Sequence, residues 1–309
     1  MKVVITGGTG LIGSHLCQRL NERGDEPIVV SRSGGNGKIK WDPKDTDSLE
    51  LPRGTDSLVH LSGAPLFGQR WSESYKHEIR ESRTRGTQTV LNAVRKYNGN
   101  LKTLISGSAV GYYGDRDDEI LNEKSDPGEG FLADVCVDWE QAVWTFAEKT
   151  ILGSGPAIST VRTGVVLSTE GGALARMLNP FGFVKPFHWG MGGPLGNGQQ
   201  YMPWIHIEDE VRAILHIMDN ELTGPFNLTA PNPVQNTDFT NALGDVLNRP
   251  TLFPVPRFGM KLLYGEAADI LFDSQRVVPE TLENTRFEFS YPKIKQALSD
   301  LLESSSQAE

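Results

Sequence analysis

Lys2-Val3-Val4-Ile5-Thr6-Gly7-Gly8-Thr9-Gly10-Leu11-Ile12-Gly13 is the stretch whose reading decides the fold. Lys2–Thr6 is a short, β-branched apolar run, which reads as a buried strand. Leu11, Ile12, Leu16 and Leu20 then fall close to helical spacing, and Gly24 marks a stop. The glycines sit between strand and helix, where dinucleotide chemistry needs them. Gly7 permits the tight turn, Gly10 lets the backbone approach a pyrophosphate, and Gly13 lets the helix pack closely on the sheet. The helix amino terminus, opened by Leu11 and Ile12 after Thr9, offers unpaired N–H groups and a partial positive charge to phosphates.

Outward from this stretch, strands alternate with helices. Pro27–Ser31, Ser57–Leu61, Leu101–Ser106 and Ile158–Leu167 read as strands, the last with Gly164 inside it. Glu73 to Tyr97 and Asp138–Lys149 read as helices. That alternation predicts an α/β fold, a Rossmann doubly wound parallel sheet. Residues 171–201 are rich in glycine and proline and read as loops over a ligand cleft. From Thr237 the pattern turns helical, and residues 250–297 read as a small closing subdomain. The expected organisation is a nucleotide-binding domain over residues 1–170, which parts of 200–235 can join. Substrate-side loops and a carboxy-terminal α/β subdomain follow over 171–300, with a frayed polar tail over 301–309.

The second strand ends in Ser31-Arg32-Ser33. A site for NAD usually carries Asp or Glu there to bind the ribose 2′-hydroxyl. Arg32 can instead pair with a 2′-phosphate and Ser31 can donate to it, so the expected cofactor is NADP(H).

Composition narrows the partners. A net charge of −9 over 309 residues argues against a nucleic-acid surface, because phosphate backbones need a basic face. No apolar run approaches the roughly 20 residues of a membrane helix, and the opening apolar stretch is too short for a signal peptide. Two cysteines far apart in sequence, Cys17 and Cys136, argue against a disulfide scaffold and fit a reducing compartment, so the expected location is cytoplasmic. Histidines, cysteines and carboxylates show no metal-ligand spacing, and no metal site is expected.

TGGTGLIG at 6–13, VHLSG at 59–63, RGTQTVLNA at 85–93 and SGSAVGYYG at 106–114 resemble the extended short-chain dehydrogenase/reductases of the NAD-dependent epimerase/dehydratase superfamily. Longer motifs look closer to one atypical subfamily, 39U, the "epimerase family proteins" with a small carboxy-terminal domain of unknown function. They are SRSGGNGKIKWDP, RWSESYKHEIRESR, FLADVCVDWE, VRTGVVLS, GGPLGNGQQYMPWIHIED and QRVVPETLENTRFEFSYP. The resemblance spans essentially the whole chain. It implies that Ser31 and Arg32 hold the 2′-phosphate, and that Leu61 and Ser62 line the adenosine and pyrophosphate path. It further implies that Glu78 and Arg83 contact the cofactor from the long helix, and that Val166 sits beside the nicotinamide. By analogy with the superfamily, a homodimer through two long helices is expected.

The superfamily's usual chemistry uses Ser/Thr, Tyr and Lys, the Lys four residues after the Tyr on one helical face. No YxxxK occurs in this chain. Anchored on Glu140, the Lys position holds Cys136 and the Tyr position Leu132. Ser108 remains at a strand end, with Tyr112 and Tyr113 after it. Ser108 is the candidate for orienting a substrate hydroxyl and Tyr112 for donating a proton. The competing reading is that Ser108 caps a turn and the tyrosines pack the domain edge. His206 reads as hydrogen-bonded scaffold, and His188 as a residue of the substrate loop. Two functional classes follow. One is an NADP(H)-dependent oxidoreductase or epimerase-like enzyme on an unidentified small molecule. The other is an NADP(H)-binding sensor with little turnover, which the missing pair favours.

Overall fold

The computed structural model describes residues 1–67, 69–97, 99–150, 155–179, 187 and 192–306. The chain opens with β1 (Lys2–Thr6), α1 (Leu11–Glu22), β2 (Glu26–Ser31), β3 (Ile39–Lys40), β4 (Ser57–His60), α2 (Glu73–Lys96) and β5 (Thr103–Ala109). A 3₁₀ turn over Val110–Tyr113 leads to β6 (Ile120–Leu121), α3 (Phe131–Thr150), β7 (Ala157–Thr163), β8 (Val165–Leu167) and α4 (Gly172–Leu178). Then come β9 (Tyr201–Met202), β10 (Trp204–His206), α5 (Ile207–Asp219), β11 (Gly224–Leu228), β12 (Val234–Gln235) and α6 (Asn236–Leu247). The chain closes with α7 (Arg257–Tyr264), a second 3₁₀ segment (Gly265–Leu271), β13 (Arg276–Val277), α8 (Glu280–Asn284) and α9 (Ile294–Ser306).

Seven strands form one sheet in the order β11-β7-β5-β4-β1-β2-β3, with every neighbouring pair parallel. The expected doubly wound sheet is therefore present. β1 is flanked by β2 on one side and β4 on the other. Strand order reverses there, and the crevice beyond the carboxyl ends of β1 and β4 is where such sheets bind ligands.

Side chains alternate across the sheet, so each strand feeds two cores. Val3 and Ile5 of β1 pack with Leu16 and Leu20 of α1 and with Val211, Ile214 and Ile217 of α5. Val4, between them, faces the other layer, with Leu58, Leu104 and Ile158 from the sheet against Val90, Leu91 and Val143 of α2 and α3. Both faces are covered, which explains why these strands read as continuous apolar runs.

Three sequence expectations shift. Ile158–Leu167 is two strands, not one. β7 stays in the main sheet, while β8 leaves it after Gly164 to pair with β10. A Cβ at Gly164 would lie 2.3 Å from the Pro203 carbonyl, so only glycine lets the chain turn there. The helix read from Asp138 begins at Phe131, because Ala133, Val135 and Trp139 pack inward from its first turns onward. Within the stretch read as loops, Gly172–Leu178 is helical.

The carboxy-terminal region leans on the nucleotide-binding side. Arg70 donates to the carbonyls of Leu262 and Leu263 at the end of α7. Lys76 pairs with Glu266 at 2.6 Å, and Phe67 meets Tyr264 edge-on at 5.7 Å between centroids. These contacts hold the segment after β4 against the closing subdomain. Among the described residues no helix is long and apolar enough to cross a membrane.

Candidate functional site

The glycine turn has the shape its sequence implied. Gly7 adopts φ +75°, and a Cβ there would lie 2.9 Å from the Leu61 carbonyl carbon and 3.0 Å from the Ser62 nitrogen. The Leu61–Ser62 backbone thus lies directly on the turn, and Leu61 N–H donates to the Thr6 carbonyl at 3.1 Å. At Gly13 a Cβ would fall 2.3 Å from the Gly7 oxygen, so close packing of helix on turn excludes any side chain. Gly10 differs: a Cβ would meet only the Gly7 oxygen, at 3.3 Å. Its open side faces outward, as a position approached by a ligand requires.

Gly10 is the N-cap of α1 and supplies no side chain to cap it, nor does an acidic residue occupy the first turn. The first helical bond runs from Ser14 N–H to the Gly10 carbonyl. The N–H groups of Leu11, Ile12 and Gly13 therefore have no intrahelical acceptor, and the positive end of the helix dipole meets the crevice. Thr9 and Gly10 are exposed, and Leu11 and Ile12 half-buried.

Ser31 and Arg32 stand at the carboxyl end of β2, beside this turn. Ser31 accepts the Gly34 N–H at 3.0 Å, leaving its own proton to donate. Arg32 is exposed and has no carboxylate partner among the described residues. Val166, 9% exposed, lies in β8. Its carbonyl would be 3.3 Å from a Cβ at Gly172, which would also touch Leu11, so β8 is joined to the phosphate turn through Gly172.

Glu78 and Arg83 both lie on α2 but about 140° apart around it. Glu78 is exposed. Arg83 turns inward: it donates to the carbonyls of Ala64 at 3.2 Å and Ile79 at 3.1 Å, and its guanidinium lies 5.3 Å from the Trp139 ring centre. Burial holds its pKa below the usual arginine value. Next to it His60 is enclosed between Trp41 and Trp139 and bonded to Thr6 and Thr87. Burial, then the Arg83 charge, pushes the imidazole down to about 4, so it is a neutral core residue at the carboxyl end of β4.

Ser108 and Tyr112 belong to a buried polar network that composition did not reveal. Arg162 grips Glu140 with two hydrogen bonds, 2.8 and 2.9 Å, and both side chains are almost fully enclosed. Ser108 donates to the same carboxylate at 2.6 Å. Arg162 also donates to the Tyr113 hydroxyl at 2.9 Å, and Tyr113 donates to Asn227 at 2.7 Å. Glu123 completes the set by accepting the Asn227 and Thr281 N–H groups. The Arg162 guanidinium lies over the Tyr112 ring, 3.6 Å from guanidinium carbon to ring centre. Burial opposes the Arg162 charge, but the Glu140 bonds outweigh it and hold the pKa above the ordinary value. Burial raises both phenols, Tyr113 to about 12.

Leu132 and Cys136, expected from the sequence at the tyrosine and lysine positions, lie on α3. Both face Gly111: a Cβ there would be 3.5 Å from the Leu132 Cβ and 3.8 Å from the Cys136 sulfur. Burial pushes the Cys136 thiol up to about 12, so it supplies neither a charge nor a thiolate. His206 caps α5, accepting the Glu208 N–H at 3.0 Å and stacking on Tyr291. His188 lies outside the described residues. Among the described residues no three His, Cys, Asp or Glu are grouped to hold a metal ion.

Glu210 had no sequence signal beyond its place in an amphipathic helix. It is fully buried, and one carboxylate oxygen accepts the Thr163 hydroxyl at 2.9 Å. The other has no partner among the described residues. Burial pushes this carboxyl from 4.5 up to about 8. The folded chain therefore holds more protons than the unfolded one between those values, and stability falls as pH rises through that window. Glu210→Gln keeps an acceptor for Thr163 and cannot ionise. It is expected to leave stability near its wild-type value at low pH and to raise it above wild type at alkaline pH. Urea unfolding across the window tests this; a variant with the wild-type pH slope would place the dependence elsewhere.

Comparison with known proteins now bears on the site. Residues 3–133 match the NAD dependent epimerase/dehydratase family, and residues 255–301 match a domain of unknown function, DUF1731. The chain is 40% identical over 307 residues to an epimerase family protein of Mycobacterium leprae, covering 96% of this chain and 94% of that one. It is 33% identical over 307 residues to human epimerase family protein SDR39U1, covering 98% and 100%. The chain belongs to the SDR39U1-like epimerase family proteins. The crystal structure of human SDR39U1 with NADPH superposes with a TM-score of 0.89 at 33% identity, covering 98% of this chain and 99% of that one. A nucleoside-diphosphate sugar epimerase from Corynebacterium glutamicum superposes with a TM-score of 0.76 at 36% identity, over 98% of this chain and 58% of that larger one. In this SDR39U1-like chain α3 carries Leu132, Cys136 and Glu140 at four-residue intervals, and Glu140 is paired with Arg162.

Proposed function

We propose that this chain binds NADP(H) and works as an oxidoreductase or epimerase-like enzyme on a small molecule. The observation that carries the cofactor reading is the paired arrangement at the β1 and β2 ends: uncapped N–H groups at α1, and Arg32 where an acidic residue would select NAD. The NADPH held by the human relative supports it. Leu11, Ile12 and Gly13 would hold the pyrophosphate with their N–H groups. Ser31 and Arg32 would hold the 2′-phosphate, and Leu61–Ser62 would lie along the adenosine side. Arg83 and Glu78 would contact the cofactor from α2, and Val166 from β8. The bound cofactor supplies hydride chemistry; the chain supplies position and protons.

Ser108 gives its proton to Glu140, so it meets a substrate hydroxyl as an acceptor, fixing its orientation. Tyr112, half-buried in the 3₁₀ turn after β5, is the proton donor. A second reading, an NADP(H) sensor with little turnover, is favoured by one observation: Leu132 and Cys136 stand where the usual catalytic pair would be.

Arg32 is expected to make the wild type prefer NADPH over NADH by about 1–3 kcal/mol, the scale of a charge-assisted hydrogen bond. Arg32→Ala should remove most of that preference by weakening NADPH alone. Calorimetric titration of both nucleotides checks it, and equal affinities in the wild type reject the assignment.

A further inference from the structure

The chain carries a tyrosine on a cation, assembled from different elements than the usual pair. Tyr112 sits in the 3₁₀ turn after β5, and its ring covers Arg162 of β7 at 3.6 Å. Arg162 cannot swing away, because Glu140 holds two of its nitrogens and Tyr113 a third. The turn itself rests on α3, since Gly111 packs against Leu132 and Cys136. A phenol and a cation thus meet beside Leu132 and Cys136, which the sequence places at the superfamily's tyrosine and lysine positions.

We propose that Arg162 takes over the lysine's electrostatic duty, tuning Tyr112 as the proton donor in a tyrosine–arginine pair. This rests on the reading of Tyr112 as donor. Arg162 acts through Tyr112 and is a positioning residue.

The pair differs physically from its counterpart. A lysine ammonium is a compact charge, whereas the Arg162 charge is shared with Glu140 at 2.8 Å. The phenol therefore faces a partly neutralised cation, from β7, and a carboxylate behind it, from α3. Asp126, from the segment after β6, adds a further negative charge, and the neighbouring Tyr113 phenol and Cys136 thiol stay protonated. Burial is the largest influence and raises the phenol, Arg162 opposes it, and the carboxylates add to it, so Tyr112 keeps its proton at neutral pH. It is built to give a proton to a substrate oxygen gaining charge. The phenol O–H bond breaks, an O–H bond forms on the substrate, the electron pair stays on the phenolate over Arg162, and water returns the proton.

The test needs no substrate. Phenolate absorbance near 295 nm, wild type minus Tyr112→Phe, isolates this one phenol if read just after a pH jump. Glu140→Gln removes the shielding carboxylate and is expected to lower the Tyr112 midpoint by about one pH unit, the scale of a charge within a few ångströms. Arg162→Met in the Glu140→Gln background should send it back up. Arg162→Lys, which retains a cation, should stay near wild type. An unshifted midpoint in folded Glu140→Gln, or an equal shift in Arg162→Lys and the Met double variant, overturns the pair. NADPH oxidation against a panel of aldehydes and ketones separates the two claims. Midpoints that move as expected, with turnover that survives Tyr112→Phe, would keep the pair and reject Tyr112 as the donor.

Discussion

Glu140→Ala is expected to cost the fold about 3–5 kcal/mol, the scale for breaking a buried ion pair from one side. The carboxylate is 4% exposed and answers four demands: two from Arg162, one from Ser108, and the charge balance of the whole network. Removing it strands an arginine that is 3% exposed, with no second carboxylate bonded to it among the described residues. Glu140→Gln should cost less, because an amide still fills the space and accepts from Ser108 or Arg162. The exposed pair Arg23–Asp219, with equally short bonds of 2.8 and 2.9 Å, offers the contrast. Asp219→Ala there should change stability by no more than about 1 kcal/mol, since water repays both charges. Urea unfolding of both variants measures the difference. Similar losses at the two sites would mean that the Arg162 pocket admits water once Glu140 is shortened.

That network marks the boundary of what the sequence could reveal. The glycine turn was legible because its signal is local: strand, glycines and helix lie within a single βα unit, and each glycine's backbone role follows from its spacing. The parallel sheet was legible from alternation, since buried strands between helices have few other arrangements. The break at Gly164 was not, because the reason for it is the Pro203 carbonyl, brought there by a distant turn. The early start of α3 was missed for a similar reason. Phe131–Val137 lacks a capping signal, and Val135 is helical because it packs with Tyr75 and Ile79 of α2. The Arg162–Glu140 pair joins a strand to a helix 22 residues away, a pairing no spacing rule encodes. Its one sequence trace is an arginine in the apolar strand Ala157–Thr163, since a charge there must find a partner or leave. Ser108 was legible as a strand-end residue, but not as a donor to Glu140, and that bond alters what it can do for a substrate.

Gly10→Val should abolish NADPH binding while leaving the chain folded. Gly10 has ordinary extended backbone, φ −83°, so a side chain there costs no strain. Among the described residues the only contact a Cβ would make is the Gly7 oxygen at 3.3 Å, so the first added carbon fits with a small adjustment. The branches of valine, however, would stand over the N–H groups of Leu11, Ile12 and Gly13, in the space a pyrophosphate would fill. Wild type saturated at about a hundred times its dissociation constant should gain about 2.7 kcal/mol from the ligand, and the variant none. Gly13→Ala separates this from damage to the fold. Its Cβ would collide with the Gly7 oxygen at 2.3 Å and with Gly8 at 2.7 Å, both backbone, so α1 must move off the sheet. That variant should melt earlier with or without nucleotide, whereas Gly10→Val should melt like the wild type without nucleotide and fail only to respond to it. Undiminished NADPH stabilisation of Gly10→Val would put the pyrophosphate somewhere other than the end of α1. It would also remove the frame on which Arg32, Arg83 and Tyr112 have been assigned their roles.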